Sequence, residues 1–436
     1  MKNCLKLLSC LSAFALFSAV IAGCGPQNST NGKDNINLTD FPLYNEEYET
    51  MVYAQSEYEK RISQPYWLGN MIYNELTLPI LYENGQAYAN LLYTPLKVVS
   101  VMDQTLKKTY TEGVDYSLDK ENGRILIPAG SSIPLLNEKV ITGTTAEEIR
   151  AAVPDGFEYS DSPDNHTLYT IWDLGSGPFA YTESSLFYGK YLSVTYAYDV
   201  RELPNDIFAE YDITVLNSVR RKLQNKEDIR VVVMGDSISE GSSSTGDNLN
   251  VAPYTPCYAK LFTAEINRVY GVNAKLTNSA KGGTVSEWPL TGEGAAALGN
   301  AKAAAPDLCV IAYGMNDSTS GVSAVRYRDN IENLIMEIKS VSPDCNFILV
   351  NSFPCNPLYE RDPGIFDEYL AQLEDIVSEH GKNGSMVVVD MQRVGKYFME
   401  TKNYCEISSS NVNHPNDFMH RVYAMNLMQV ICDYKY

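Results

Sequence analysis

The sequence predicts a parallel α/β domain over residues 229–436, preceded by a β-sandwich domain over 41–203 and a linker helix within 204–228. Three observations predict this. Short apolar runs at 229–234, 274–278, 307–312, 346–351 and 386–390 alternate with helix-period segments, notably 322–340 and 365–380. Strands spaced by helices, most of them largely apolar, imply a parallel sheet covered on both faces. Before residue 200 the pattern changes to short strand-like runs separated by turn pairs such as Glu112-Gly113 and Asn122-Gly123. The composition is that of a folded chain: 436 residues, 44% hydrophobic and 20% charged. That length suits two or three domains, and the composition argues against wholesale disorder.

The elements follow in order. Lys2 and Lys6 precede an apolar run from Leu7 to Ala22, so 1–23 reads as a signal peptide. The run is short for a membrane span and a polar segment follows it. It ends in Val20-Ile21-Ala22-Gly23-Cys24, which resembles the bacterial lipobox and implies a lipidated Cys24. Several acyl chains there would anchor the protein to a membrane, with the rest of the chain extracytoplasmic. Residues 24–40 are Asn-, Gly- and Thr-rich and read as a flexible tether.

In 41–203, strands are expected at 96–102, 109–118, 123–128 and 188–198, the last alternating close to strand period. Eighteen of the 31 tyrosines fall between 41 and 199. Tyrosine favours strands, so the plainer expectation is packing in and on the sheets, and the sharper one a sugar-stacking face. In the linker, Ile213, Leu216, Val219 and Leu223 space out an apolar helical stripe, with Arg220, Arg221 and Lys222 mostly solvated.

Charge and cysteine content exclude several functions. Asp and Glu number 54 against 34 Lys and Arg, for a net charge of −20. Nucleic-acid binding needs a basic footprint, and adhesion to anionic lipid needs a polybasic face. After removal of Cys4 and Cys10 and lipidation of Cys24, six cysteines remain, from Cys257 to Cys432, with no CxxC pair or Cys/His cluster. No metal site is therefore expected. Cys309, inside an apolar run, reads as a small core residue. Disulfide pairing is not legible from spacing.

The chemistry gathers at strand ends. The run 229–234 leads into Gly235-Asp236-Ser237-Ile238-Ser239. A serine just past the C-terminal end of a parallel strand stands where open α/β sheets bind ligands. Asn278-Ser279-Ala280-Lys281-Gly282-Gly283-Thr284 follows the second strand, and Tyr313-Gly314-Met315-Asn316-Asp317 the third. His414-Pro415 precedes the last helix. Four such blocks in this order resemble the SGNH, or GDSL, hydrolases, over about 229–436. The GxSxG elbow of the α/β-hydrolases is absent.

That resemblance implies a flavodoxin-like three-layer α/β/α domain and a serine esterase that needs no cofactor. It implies Ser237 as nucleophile, with the Ser237 amide, the Gly283 amide and the Asn316 carboxamide forming the oxyanion hole, and His414 as base. Of the other three histidines, His166 lies in the β-rich half, His380 at a helix end, and His420 within the last helix. Asp236 and Asp317 are expected to hold loops. The chain departs from the family at Asn411, which stands where an aspartate usually lies three residues before the histidine. An Asn carbonyl can orient an imidazole but cannot stabilise its charge. Either a Ser–His dyad works with Asn411 as substitute acceptor, or another acid serves, Asp417 being the nearest.

The layout resembles carbohydrate esterases, so acylated carbohydrate, above all O-acetylated polysaccharide, is the expected substrate. Trp288 and the N-terminal tyrosines are candidates to stack on sugars. Lipid, aryl or peptidoglycan esters are the alternatives, as is a catalytically impaired glycan-binding lipoprotein. The sequence leaves the oligomeric state open.

Overall fold

A computed structural model describes residues 63–161, 168–204, 206–381 and 383–434. The signal peptide, the tether, Cys24 and His166 lie outside the described residues. All the described residues fall in one compact unit.

The C-terminal part is built on five parallel strands: Ile229–Gly235, Ala274–Asn278, Leu308–Ala312, Asn346–Asn351 and Met386–Asp390. In space the Ala274–Asn278 strand lies at one edge, the first strand beside it, and the other three follow in chain order. Val231 pairs with Leu276 on one side and Leu308 on the other, so neighbouring strands end level at their C-termini. The first, third and fourth strands are buried along nearly their whole length, as parallel strands between two helical layers must be. Among the helices that follow them are Tyr258–Tyr270, Ala324–Lys339 and Ile365–His380. Each buries one apolar stripe, such as Tyr327, Ile331, Leu334 and Ile338.

The last helix, Asp417–Gln429, differs in being buried at all thirteen positions. It is covered by helix Tyr258–Tyr270 and by the first N-terminal strand.

The N-terminal part is strand-rich. It holds a three-stranded antiparallel sheet of Met71–Thr77, Leu192–Tyr198 and Pro95–Asp103, a five-stranded sheet of short strands, and a two-stranded ribbon of Tyr169–Asp173 with Pro178–Thr182. Most of the expected strand at 109–118 is loop, with regular structure only at Ser117–Asp119. Residues 188–191 begin instead with the end of a short helix, Ser185–Tyr188. Tyr66, Tyr93, Tyr191, Tyr196 and Tyr198 are buried, so many of the tyrosines pack in the core.

The linker helix spans Asn217–Gln224 and buries Leu216, Val219 and Leu223 against the sheet, whereas Ile213 is exposed. Arg220 is buried, not solvated. Its guanidinium donates to the carbonyls of Ile213 and Asp212 and lies over the Tyr211 ring. Those carbonyls give the buried charge the partners it requires.

Candidate active site

Four segments converge beyond the C-terminal ends of the parallel strands. The first strand ends at Gly235, where a Cβ would meet Ser239 Oγ at 2.2 Å and the Ala312 carbonyl at 2.7 Å. Only glycine fits so close an approach. The Asp236 carboxylate accepts from the Ile238 amide at 3.0 Å and caps the turn that presents Ser237. Burial pushes the Asp236 carboxyl up to about 7.

The glycine loop is tied to the same strand end: the Lys281 amide donates to the Gly235 carbonyl at 3.0 Å. The Gly282 amide donates to Glu240 at 2.7 Å, and a Cβ on Gly282 would lie 3.5 Å from that of Ser237. Gly283 adopts φ +76 with open space where a Cβ would point, so substrate can approach its amide. Asn316 donates one carboxamide hydrogen to the Thr284 carbonyl at 3.0 Å, which fixes the amide and leaves a second hydrogen for a ligand. Asp317 accepts from the amide and hydroxyl of Ser286 and ties the third strand's loop to the glycine loop.

His414 Nε2 stands 2.9 Å from Ser237 Oγ. His414 Nδ1 stands 2.9 Å from Glu183 Oε1. The carboxylate can only accept at neutral pH, so Nδ1 carries the proton and Nε2 accepts from the serine hydroxyl. Ser237 is 7% exposed, and the side chains of His414 and Glu183 are 12% and 16% exposed. The row is recessed yet reachable. A nucleophile, a base bonded to it and an acid orienting the base form the triad arrangement that activates a hydroxyl at a carbonyl carbon.

The acid comes from the β-rich half, and this corrects the reading of Asn411. Asn411 does not face the imidazole. Its carboxamide donates to the Ala180 carbonyl at 2.8 Å, and its own carbonyl accepts from Asn356 at 2.9 Å. It sits at φ +60, a left-handed conformation that asparagine tolerates better than most residues. Asp417 is not the substitute either: it accepts from the Thr245 amide at 2.9 Å and hydroxyl at 2.6 Å, inside the core. The Glu183 loop follows the strand Pro178–Thr182 and is held to the histidine loop by the Asn411–Ala180 bond and by the Thr182 amide donating to the Ser410 carbonyl. Glu183 belongs to no motif and lies 231 residues from His414. An acid directly after a strand-like run was its only sequence signal.

The other described histidines lie elsewhere. His380 ends its helix beside Glu332 at 3.3 Å. His420 is buried, its Nε2 donating to the Ser242 carbonyl. All six cysteines from Cys257 to Cys432 are buried free thiols. Trp288 is half-buried and opens a single 3-10 turn, Trp288–Leu290, beyond the glycine loop.

Residues 233–422 match the family model described as the GDSL-like lipase/acylhydrolase family. Among solved structures, a two-domain esterase (CEX) active on acetylated mannans aligns at 19% identity and TM-score 0.39, over 52% of this chain and 58% of that one. The acetylxylan esterase Axe2 from Geobacillus stearothermophilus aligns at 20% identity and TM-score 0.38, over 47% of this chain and 94% of that one. A G-D-S-L family lipolytic protein from Veillonella parvula aligns at 17% and 0.36, over 46% and 97%. The chain thus spans little more than half of the first of these. No curated protein matches.

Proposed function

From the GDSL-like lipase/acylhydrolase domain at residues 233–422, we propose that the chain is a serine esterase that removes small O-acyl groups, above all acetyl, from carbohydrate. The observation that carries this is the continuous row from Ser237 Oγ through His414 to Glu183.

In the proposed mechanism Ser237 Oγ attacks the ester carbonyl while His414 Nε2 takes its proton. Glu183 holds the imidazole and stabilises its positive charge. The Gly283 and Ser237 amides and the Asn316 carboxamide donate to the developing oxyanion. His414 then protonates the departing sugar oxygen, freeing the sugar. Water, deprotonated by His414, attacks the acyl-enzyme, and His414 returns that proton to Ser237 Oγ as the carboxylic acid leaves.

A small acyl group suits the surroundings of Ser237. Its neighbours include Gly282, and Glu240 and Lys281 pair beside that loop at 3.5 Å. These glycine and charged groups, close to the nucleophile, favour a short, polar acyl group such as acetyl over a fatty chain. The impaired-binder alternative loses its main support, since Glu183 supplies the carboxylate that Asn411 lacks.

The lipobox-like string ending in Cys24 supports an extracytoplasmic, membrane-anchored setting. Cys24→Ser should then release the protein from membranes or leave it unprocessed, and a free Cys24 thiol on the mature protein would exclude lipidation. For the activity itself, acetate release from acetylated xylan and mannan is the direct assay. Ser237→Ala should abolish it with the fold unchanged, and retained turnover would exclude the serine mechanism.

A further inference from the structure

A small aromatic cluster lies apart from the main core and beside the site. Phe179, Tyr181 and Val412 are its buried members, and Trp172 and Tyr359 pack against them half-buried. The Trp172 ring centroid lies 4.8 Å from that of Tyr181 and 5.5 Å from that of Tyr359, the latter pair inclined at 34°. Trp172 and Tyr359 line a cleft of about 400 Å³ with Asp173, Leu174 and Arg361, all three exposed. That volume is within the range of small-ligand sites.

The cluster against which Trp172 and Tyr359 pack is continuous in the chain with the catalytic segments. Tyr181 lies two residues before Glu183, at most about 7 Å along the backbone. Val412 lies two residues before His414. Arg361 reaches the carbonyl of Thr319, whose hydroxyl bonds the Asn316 carbonyl at 3.2 Å.

We propose that this cleft is a glycan subsite, in which Trp172 and Tyr359 stack on the apolar faces of pyranose rings of the chain that carries the ester. The proposal rests on the carbohydrate-esterase reading and names where that substrate is held. Three properties favour a sugar. The two rings are held by their neighbours before any ligand arrives, so little ordering entropy opposes binding. Aromatic faces cover the C–H face of a ring, while Asp173 accepts from hydroxyls and Arg361 donates to them. The rim also carries Asp161 and Asp173 against one Arg361, which disfavours uronic acids and selects neutral oligosaccharides.

The test separates binding from hydrolysis. The full chain carrying Ser237→Ala is titrated with xylohexaose and mannohexaose by calorimetry and tryptophan fluorescence. At least one should bind, and adding Trp172→Ala should weaken it ~10-fold or more, as for removal of an aromatic anchor. Trp172→Phe should keep most of the affinity. Should Trp172→Ala fail to fold, Arg361→Ala, at an exposed position, should weaken binding ~10-fold or more, the loss of a hydrogen bond to a charged group. No binding of either hexaose, wild-type affinity in Trp172→Ala or, where that does not fold, in Arg361→Ala, or tighter binding of hexagalacturonate would overturn the subsite. Acetate release by the Ser237-intact chain is scored separately. Its absence alongside intact hexaose binding would sink the esterase reading and leave the subsite standing.

Discussion

Glu183 and Asn411 share one task from two sides. Glu183 orients and stabilises the imidazole, and Asn411 fastens the Pro178–Thr182 strand to the histidine loop so that Glu183 arrives there. Glu183→Gln keeps the shape and removes the charge. It should lower kcat ~10⁴-fold, as for the equivalent change in a serine protease, with KM for a small acetyl ester little altered. A loss under tenfold in steady-state kinetics would remove Glu183 from the triad. Asn411→Asp should not raise activity, although it installs the residue that the SGNH hydrolases this chain resembles usually carry there. It would set a carboxylate against the Ala180 carbonyl in a position 3% exposed, with an expected loss of ~1–3 kcal/mol of stability. Denaturant melts and kcat together decide this, and a gain in kcat would return Asn411 to the imidazole. At this scale Ser237 and His414 were legible because their motifs are local. Glu183 was not, because its identity as the partner depends on a ribbon docking across the fold, and no spacing in the chain encodes that.

The strands and helices of the parallel domain were legible for a physical reason. A strand buried on both faces must be apolar throughout, so runs such as 346–351 announce themselves. The loops at 109–118 and the burial of Arg220 were not, since capture of a guanidinium by the Ile213 and Asp212 carbonyls is a tertiary event. The last helix carries the same lesson and a prediction. It has no solvent face, and its His420 accepts from the Tyr258 amide at Nδ1 and donates to Ser242 at Nε2. The Tyr258 bond needs an unprotonated Nδ1, and burial lowers the His420 pKa from 6.5 to about 4. The unfolded chain therefore binds a proton between those values that the folded chain refuses. Stability from this group is full above pH 6.5 and falls as pH drops towards 4, by roughly 3 kcal/mol across the window. The buried carboxyls of Asp417, raised to about 6, and Asp236, raised to about 7, act in the opposite sense, losing stability as pH rises from about 4. Comparing His420→Gln with wild type isolates the histidine. The variant should be less stable at pH 7 by ~1–2 kcal/mol for its lost bonds and gain on wild type as the pH is lowered to 4.5. A stability difference that stays constant with pH in urea titrations would exclude His420 as the titrating group.

Across the whole molecule, the β-rich half and the half built on the parallel sheet are joined by buried charge as well as by apolar surface. Arg421, on the last helix, donates to the carbonyls of Tyr73 and Asn74. Those carbonyls are turned out of the ladder where the register of strand Met71–Thr77 shifts between Ile72 and Glu75. Lys402 meets Glu75 at 2.6 Å with both side chains fully buried, and also donates to the Asn90 carbonyl at 2.8 Å. Glu75 accepts further from Tyr196 at 2.5 Å and from the Leu92 amide at 3.1 Å. Desolvation of both ions costs several kcal/mol and is offset only while every partner is present. Lys402→Met should therefore leave Glu75 uncompensated and destabilise the chain by ~3–5 kcal/mol. Converting both members, Glu75→Gln with Lys402→Met, removes the uncompensated charge and should recover much of that loss. The consequence reaches catalysis, because the half that Lys402 holds in place is the half that supplies Glu183. As Lys402→Met is carried towards its unfolding midpoint in urea, turnover of a small acetyl ester should fall along the same curve as the far-ultraviolet signal. A variant in which activity disappears well before that signal would show that the β-rich half lets go first and takes the acid with it. A variant as stable as wild type would mean that the Lys402–Glu75 pair is not what joins the two halves.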